Sequence, residues 1–337
     1  MRVWIDVAHG PQVRFLQPIE WALRERGDEV VLSVREHGEA ATLAREAWPG
    51  IVADSGASPD ERLQKGAALA ARAVRLARWA HAQRPDVALS HNSYAQILAA
   101  RALRIPAVTA MDYEHQPANH LAFRLATRVV VPEVFPDEAL RRFGAAAARV
   151  RRYQGLKEEM YIERAADDAA QRSLLGLGPE EPYAVVRLPP EGTLYHRHAN
   201  ELVDALIARL VDQRATVLVL ARTDAQRRVW SGRTNVIILD PPVDAQALLH
   251  GCTVFVGAGG TMTREAALIG APTYSIFAGR PAAADAWLEQ QGRLSFLHTA
   301  REVSVLDLAS ARRVRPVETV QRCGALEVVL SAVDEVT

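Results

Sequence analysis

Val254-Phe255-Val256-Gly257-Ala258-Gly259-Gly260-Thr261-Met262-Thr263-Arg264-Glu265-Ala266-Ala267-Leu268-Ile269-Gly270-Ala271-Pro272 reads as a buried strand, a glycine-rich turn, a short helix and a stop before a further strand. Glycine lacks a Cβ and tolerates positive φ, so such a turn lets backbone N–H groups approach phosphate oxygens at a helix start. The segment is therefore expected to bind an anion. As a dinucleotide fingerprint it supplies Gly257 and Gly259 but places Met262 where Gly or Ala is needed. It also lacks the Lys-Ser/Thr of a phosphate-binding NTPase loop. Glu265, one turn into the helix, is placed to reach a ribose hydroxyl whose phosphates rest at the helix start.

Outward from this segment, strands alternate with helices along the whole chain, the pattern of parallel sheets covered on both faces. In the first half, strands are expected over residues 3–7, 29–34, 51–53, 87–91, 107–111 and 128–131. In the second half they are expected over 183–187, 215–220, 236–239, 253–256 and 273–277. Helices fill the intervals, among them 15–26, 59–83 and 94–103, and a last one runs from about 316 to 333. The polar stretch Tyr153-Gln154-Gly155-Leu156-Lys157-Glu158-Glu159 reads as a linker. The organisation expected is an α/β chain of two doubly wound, Rossmann-like domains, 1–154 and 155–315, facing a central cleft, with 316–337 a C-terminal helix placed to pack back on the first domain. Ligands of open α/β sheets bind outside the carboxyl ends of the strands.

The chain has 337 residues, 49% hydrophobic and 24% charged, the composition of a globular protein long enough for two domains. Its 40 basic and 40 acidic side chains give a formal net charge of zero, which offers no general attraction to nucleic acid. The basic residues are nearly all Arg, which reads as base composition of the gene. Cys252 and Cys323 are far apart and show no ligand spacing, so neither a disulfide framework nor a zinc site is expected. No apolar run approaches the roughly 20 residues of a membrane span, and the first strand meets a polar turn at once. The expectation is a cytoplasmic protein with no integral membrane segment.

Groups for proton transfer cluster in Met111-Asp112-Tyr113-Glu114-His115, directly after an apolar strand. Asp112, Glu114 and His115 are three titratable side chains in four positions, and neighbouring groups of this kind can divide acid and base roles. The competing reading is a helix-capping loop with solvated charges. His91-Asn92-Ser93, after the preceding strand, is similarly placed to hold an acceptor or a sugar. Arg187 ends a strand and can pair bidentately with a diphosphate, or form a structural salt bridge.

The segment from Gly259 to Pro272 resembles the nucleotide-sugar-binding segment of GT-B fold glycosyltransferases, notably the lipid II-forming N-acetylglucosaminyltransferase. In that family the acidic residue matching Glu265 binds the ribose, and the turn and helix start face the pyrophosphate. The resemblance is closer to an uncharacterised prokaryotic family of predicted glycosyltransferase-like proteins. It rests on Trp4-Ile5-Asp6 with Gly10-Pro11-Gln12-Val13, on Asp112-Tyr113-Glu114-His115, on Gly155-Leu156-Lys157-Glu158-Glu159 and on Arg187-Leu188-Pro189-Pro190-Glu191-Gly192. The glycine-rich segment joins these with Phe277, Gly279 and Asp285. It implies a nucleotide diphosphate sugar, a substrate and not a cofactor, held by Gly257, Gly259, Gly260, Thr261, Met262, Thr263, Glu265, Arg187, Phe277 and Asp285. It implies transfer to an acceptor that the sequence does not name, and GT-B transferases as a class generally need no metal.

One departure stands out. The first loop of the family usually reads Asn-x-Pro-His-Val, and this chain has His9-Gly10-Pro11-Gln12-Val13. Gln cannot act as a general base, so His9 is the nearest replacement. Tyr195-His196-Arg197-His198-Ala199-Asn200-Glu201 is loosely similar to a segment of non-hydrolysing UDP-N-acetylglucosamine 2-epimerases, which share this fold. Transferase, epimerase and non-catalytic nucleotide-sugar binder all stay open, in that order of preference.

Overall fold

The computed structural model describes residues 1–36, 40–54, 62–162, 169–189, 196–239, 244–316 and 324–337. The chain forms two compact units, one of Met1–Tyr161 with Val320–Thr337 and one of Ile162–Thr319.

The first unit contains β1 (Arg2–Val7), β2 (Glu29–Arg35), β3 (Val52–Asp54), β4 (Val87–His91), β5 (Ala107–Ala110), β6 (Arg128–Pro132) and β7 (Val150–Tyr153). They form one sheet in the order β3-β2-β1-β4-β5-β6-β7. Every pairing is parallel, with Val3 opposite both Val30 and Val87. A parallel sheet is covered on both faces, and β1 shows why its strands read as apolar runs. Val3, Ile5 and Val7 pack with Phe15, Leu16 and Ile19 of the helix Gln12–Glu25 and with Val329 and Val333 of the C-terminal helix Ala325–Asp334. Trp4, on the opposite face, packs with Leu76, Ala80 and Ala99. Each such fully buried large side chain contributes about 1.5–3 kcal/mol.

The second unit contains β8 (Tyr183–Arg187), β9 (Thr216–Leu220), β10 (Val236–Ile238), β11 (Val254–Gly257), β12 (Thr273–Ser275) and β13 (Ser295–Phe296), all parallel, in the order β10-β9-β8-β11-β12-β13. Val186, Val219 and Val256 lie side by side and pack with Leu206 and Leu210 of the helix His196–Asp212. In both sheets the connections run one way from the first strand and then the other. The reversal falls between β1 and β4 in one unit and between β8 and β11 in the other, and such points leave a crevice for ligands.

Several elements depart from the sequence reading. The first helix starts at Gln12 and not at 15, because Gln12 and Val13 already close turns onto the carbonyls of His9 and Gly10. β7 and β13 were not expected: β7 carries two arginines in four residues, and β13 is two residues long. The stretch read as a linker is a buried part of the first unit, since Lys157, Glu158 and Glu159 are each at most 4% exposed. Gly155 has φ +77, and a Cβ there would lie 2.6 Å from Glu159 Oε1, whose carboxylate accepts from the Leu156 N–H at 2.7 Å. The last helix begins at Ala325, with Pro316 outside it and 317–323 beyond the described residues. The expected helix start at Pro59, the loop Pro190-Glu191-Gly192-Thr193 and Tyr195 likewise lie outside the described residues.

Candidate functional site

The glycine-rich turn follows β11 at the reversal point of the second sheet. Gly259 and Gly260 have φ of +78 and +86, which side-chain-bearing residues rarely adopt. Gly260 is the N-cap of the helix Thr261–Ile269 and provides no side-chain cap. The first N–H groups of a helix lack intrahelical partners and carry the positive end of its dipole. A Cβ built on Gly260 meets no described atom within 4 Å, so that approach is open. Gly257 is required for packing instead: a Cβ there would lie 2.6 Å from Thr263 Oγ1 and 2.8 Å from the Phe255 ring. Phe277 sits against Gly259, where a Cβ would be 3.4 Å from its ring.

Below the turn, Arg264 and Asp285 form a buried ion pair, Nε to Oδ1 at 2.6 Å. Asp285, expected at the nucleotide, is paired with the helix that follows the turn. Glu265 is 4% exposed and Thr263 Oγ1 is buried with no hydrogen-bond partner among the described residues, while Thr261 and Met262 are partly exposed. Arg187 ends β8, the neighbour of β11, with Nη1 at 3.4 Å from the Ala221 carbonyl. The loop after β8 is held by side-chain donors from the segment after β9. Arg222 Nε donates to the Leu188 carbonyl at 2.8 Å and Gln226 Nε2 to that of Pro189 at 2.7 Å.

At the reversal point of the first sheet, Gln12 performs the same kind of fastening. Its Oε1 accepts from the N–H groups of Ala8 and His9 at 2.8 and 3.1 Å, and its Nε2 donates to the His91 carbonyl at 2.6 Å. The loop after β1 is thereby tied to the end of β4. His9 is exposed on that loop. Behind it, the fully buried Asp6 accepts from Ser33 Oγ at 2.6 Å and from both Nη atoms of Arg72 at 2.8 and 3.0 Å, and also from Ser93 Oγ. Ser93 in turn caps the helix Tyr94–Leu103.

The segment after β5 carries the groups expected for proton transfer, and they fall into two sets, one around Asp112 and one of Glu114 with His115. Lys157 Nζ contacts one oxygen of Asp112 and a carboxylate oxygen of Glu158, all three side chains being buried. The other Asp112 oxygen, Oδ1, lies 3.4 Å from His91 Nε2. Glu114 is buried, with Oε1 at 3.5 Å from His115 Nε2, and Arg142 donates to the Glu114 carbonyl at 3.0 Å. Asn119 secures the segment, donating to the Tyr113 carbonyl at 3.0 Å and accepting from Tyr94 OH at 3.2 Å. Burial pushes the Tyr94 hydroxyl up to about 12, so it remains a donor at neutral pH.

Lys157 and Glu158 were missed as site residues because a polar run signals surface unless its partners are known. Asp112, the distant partner of Lys157, lies 45 residues away in sequence. Among the described residues no group of three or more His, Cys, Asp or Glu side chains could hold a metal ion, and no helix is long and apolar enough to cross a membrane.

The whole chain superposes on known structures of low sequence identity. The UDP-GlcNAc 2-epimerase of Methanocaldococcus jannaschii, solved with UDP-GlcNAc and UDP, matches with a TM-score of 0.79 at 12% identity, over 100% of both chains. The UDP-GlcNAc 2-epimerase of Neisseria meningitidis, bound to UDP-GlcNAc, gives 0.74 at 12% identity over 99% of this chain and 100% of that one. HepE of Anabaena, in complex with UDP and glucose, gives 0.61 at 17% identity over 100% and 94%. The fold is therefore GT-B-like, with two Rossmann-like domains. In sequence, an uncharacterized protein of M. jannaschii is 25% identical over 317 residues, 89% of each chain. Residues 1–326 match the pattern of one family, and the chain belongs to it: the DUF354 proteins of unknown function.

Proposed function

We propose that this protein binds a nucleotide diphosphate sugar through the second unit and transfers the sugar to an acceptor. The observation that carries the reading is the turn Gly257-Ala258-Gly259-Gly260. It has two positive-φ glycines, an open approach over Gly260 and a helix start at the point where the strand order reverses. The diphosphate would lie on the N–H groups of Gly259 to Thr263, where dipole and donors favour anionic oxygen. As the bond from C1 of the sugar to the diphosphate breaks, charge grows on the leaving oxygens, and Arg187, at the end of the strand next to β11, would take it up. Glu265 would bind the ribose. Proton transfer falls to the segment after β5, with Asp112, Glu114 and His115. Structures that share the fold were solved with UDP, UDP-GlcNAc or UDP and glucose, which supports a uridine nucleotide as the first ligand to test.

Epimerisation of the donor is the second reading, favoured by the likeness to two UDP-GlcNAc 2-epimerases over essentially the whole chain. Incubation with a panel of nucleotide sugars separates the two. Product formed from the donor alone indicates epimerisation, whereas product that requires an added hydroxyl acceptor indicates transfer. Thermal unfolding with each nucleoside diphosphate tests the shared premise, because a ligand that binds only the folded state raises its stability. No stabilisation by any of them at about millimolar concentration, where even a weak site of this class is occupied, would sink both readings.

A further inference from the structure

Between Arg62 and Arg104 the sequence carries eight Arg or Lys residues and one acidic residue, Asp86, in a chain whose formal net charge is zero. That stretch supplies the helices Arg62–Gln83 and Tyr94–Leu103, which pack together over the Trp4 face of the first sheet. Part of the charge is used inside the unit: Arg72 pairs with the buried Asp6, and Asp86 accepts from the Arg2 N–H at 2.6 Å. By contrast, Arg78, His81, Arg84, Arg101 and Arg104 are exposed, and none makes a side-chain hydrogen bond or ion pair among the described residues. A cavity of about 200 Å³ opens beside them, lined by Ala80, His81, Arg84, Pro85, Leu103 and Ile105. Ala80 and Pro85 are buried and Leu103 and Ile105 half-buried, so its walls are largely apolar and its cations lie on the exposed side.

This cavity is separate from the groups described above. Residues 80–85 precede β4 and residues 103–105 precede β5, so it lies at the amino ends of these strands, whereas His91 and Asp112 come at their carboxyl ends. The ends of the two helices account for only part of the charge around it. A helix C-terminus carries about half a negative elementary charge, so two of them balance about one of the four guanidiniums. The remainder favours an anion of more than one charge. An apolar cavity of about 150 Å³ holds benzene, so this one has room for a ring or a chain of about six carbons. We infer that the cavity binds a small organic phosphate, with its apolar body against Ala80, Pro85, Leu103 and Ile105 and its phosphate on Arg84 and Arg104, whose planar forks match phosphate oxygens in pairs. The site belongs wholly to the first unit and does not depend on nucleotide binding by the second.

Amide resonances of the 15N-labelled full chain, titrated at about pH 8 with phenyl phosphate, inorganic phosphate and phenol in turn, read the site residue by residue; a phosphate monoester is close to a dianion there. Phenyl phosphate is expected to shift His81, Arg84, Leu103, Arg104 and Ile105. Phosphate and phenol, each lacking one half of the contact, are expected to bind at least about tenfold more weakly. Arg84 and Arg104 have φ of +50 and +61, which glycine adopts without strain, so the double variant Arg84→Gly, Arg104→Gly removes two cations and keeps the backbone of both helix ends. It is expected to weaken phenyl phosphate at least about tenfold and to leave phenol as it was. Shifts confined to other segments, equal affinity for phosphate and phenyl phosphate, or unchanged affinity in the double variant would overturn the inference. Titration with UDP decides the proposed function separately, through Gly259, Gly260 and Thr261.

Discussion

At its reversal point the second sheet offers backbone, and the first offers buried side chains. Both sheets run in the same order, with one additional edge strand, β7, in the first. At the end of β11 and after it the chain places Gly257, Gly259 and Gly260, and Arg264 of the following helix is paired internally with Asp285. At the end of β4 and after β5 it places His91, Asp112 and Glu114, with Lys157 and Glu158 brought in from further along. A glycine turn suits a ligand recognised through its anionic oxygens, and titratable groups held at fixed distances suit proton transfer. Loops on the same topology thus differ in content, backbone donors in one unit and titratable side chains in the other.

The largest effect should come from removing the cation of the first unit. Lys157→Met leaves Asp112 and Glu158 buried without it, and breaking a buried pair in this way costs about 3–5 kcal/mol. Urea unfolding measures it, and a loss below about 1 kcal/mol, the size of an exposed pair, would show that the cluster is solvated. The second unit should instead be most sensitive to an added Cβ. Gly270, φ +88, ends the helix Thr261–Ile269, and a Cβ there would overlap the Val314 carbonyl, whose own N–H donates to the Gly270 oxygen at 3.0 Å. Gly270→Ala is expected to destabilise by about 3 kcal/mol through strain and overpacking, read as a fall in the calorimetric midpoint.

A smaller and specifically functional effect is expected at Glu265. Glu265→Ala should weaken UDP binding about tenfold, which is about 1.4 kcal/mol. Calorimetric titration checks it, and unchanged affinity removes the ribose assignment. The smallest effect concerns the C-terminal helix. Arg151 and Arg128 hold the Glu335 carboxyl down at about 2, from an ordinary value of 4.5. A lowered folded-state value means stability that is present above 4.5 and lost as pH falls towards 2. Glu335→Gln should therefore cost less than about 1 kcal/mol at pH 7, as for other solvent-accessible pairs, and the difference from the unsubstituted protein should vanish across that window. A difference that persists at pH 2 would assign it to packing.

How much of this was legible follows the same division. The glycine turn could be read because it is local: strand, glycines and helix start are contiguous, and the signal needs no distant partner. The sheets could be read where strands are apolar, as at β1, β4 and β11, and not at β7, whose Arg151 and Arg152 face partly outward. The side-chain site was legible only in part. Asp112, Glu114 and His115 announce themselves as a cluster, but Lys157 and Glu158 read as a solvated linker until Asp112 is known to meet them. Arg72, in a helix rich in Ala, Arg and Leu, gave no sign of its pairing with Asp6. Gln12 read as a lost histidine, and the structure gives it a fastening role between the loop after β1 and the end of β4.

The claim that a nucleotide diphosphate rests on the backbone of the glycine turn is tested most directly by adding UDP to 15N-labelled protein and following its amide resonances. The account predicts that the largest shifts fall on Gly259, Gly260 and Thr261. Shifts confined to other segments, or none at millimolar UDP, would contradict it.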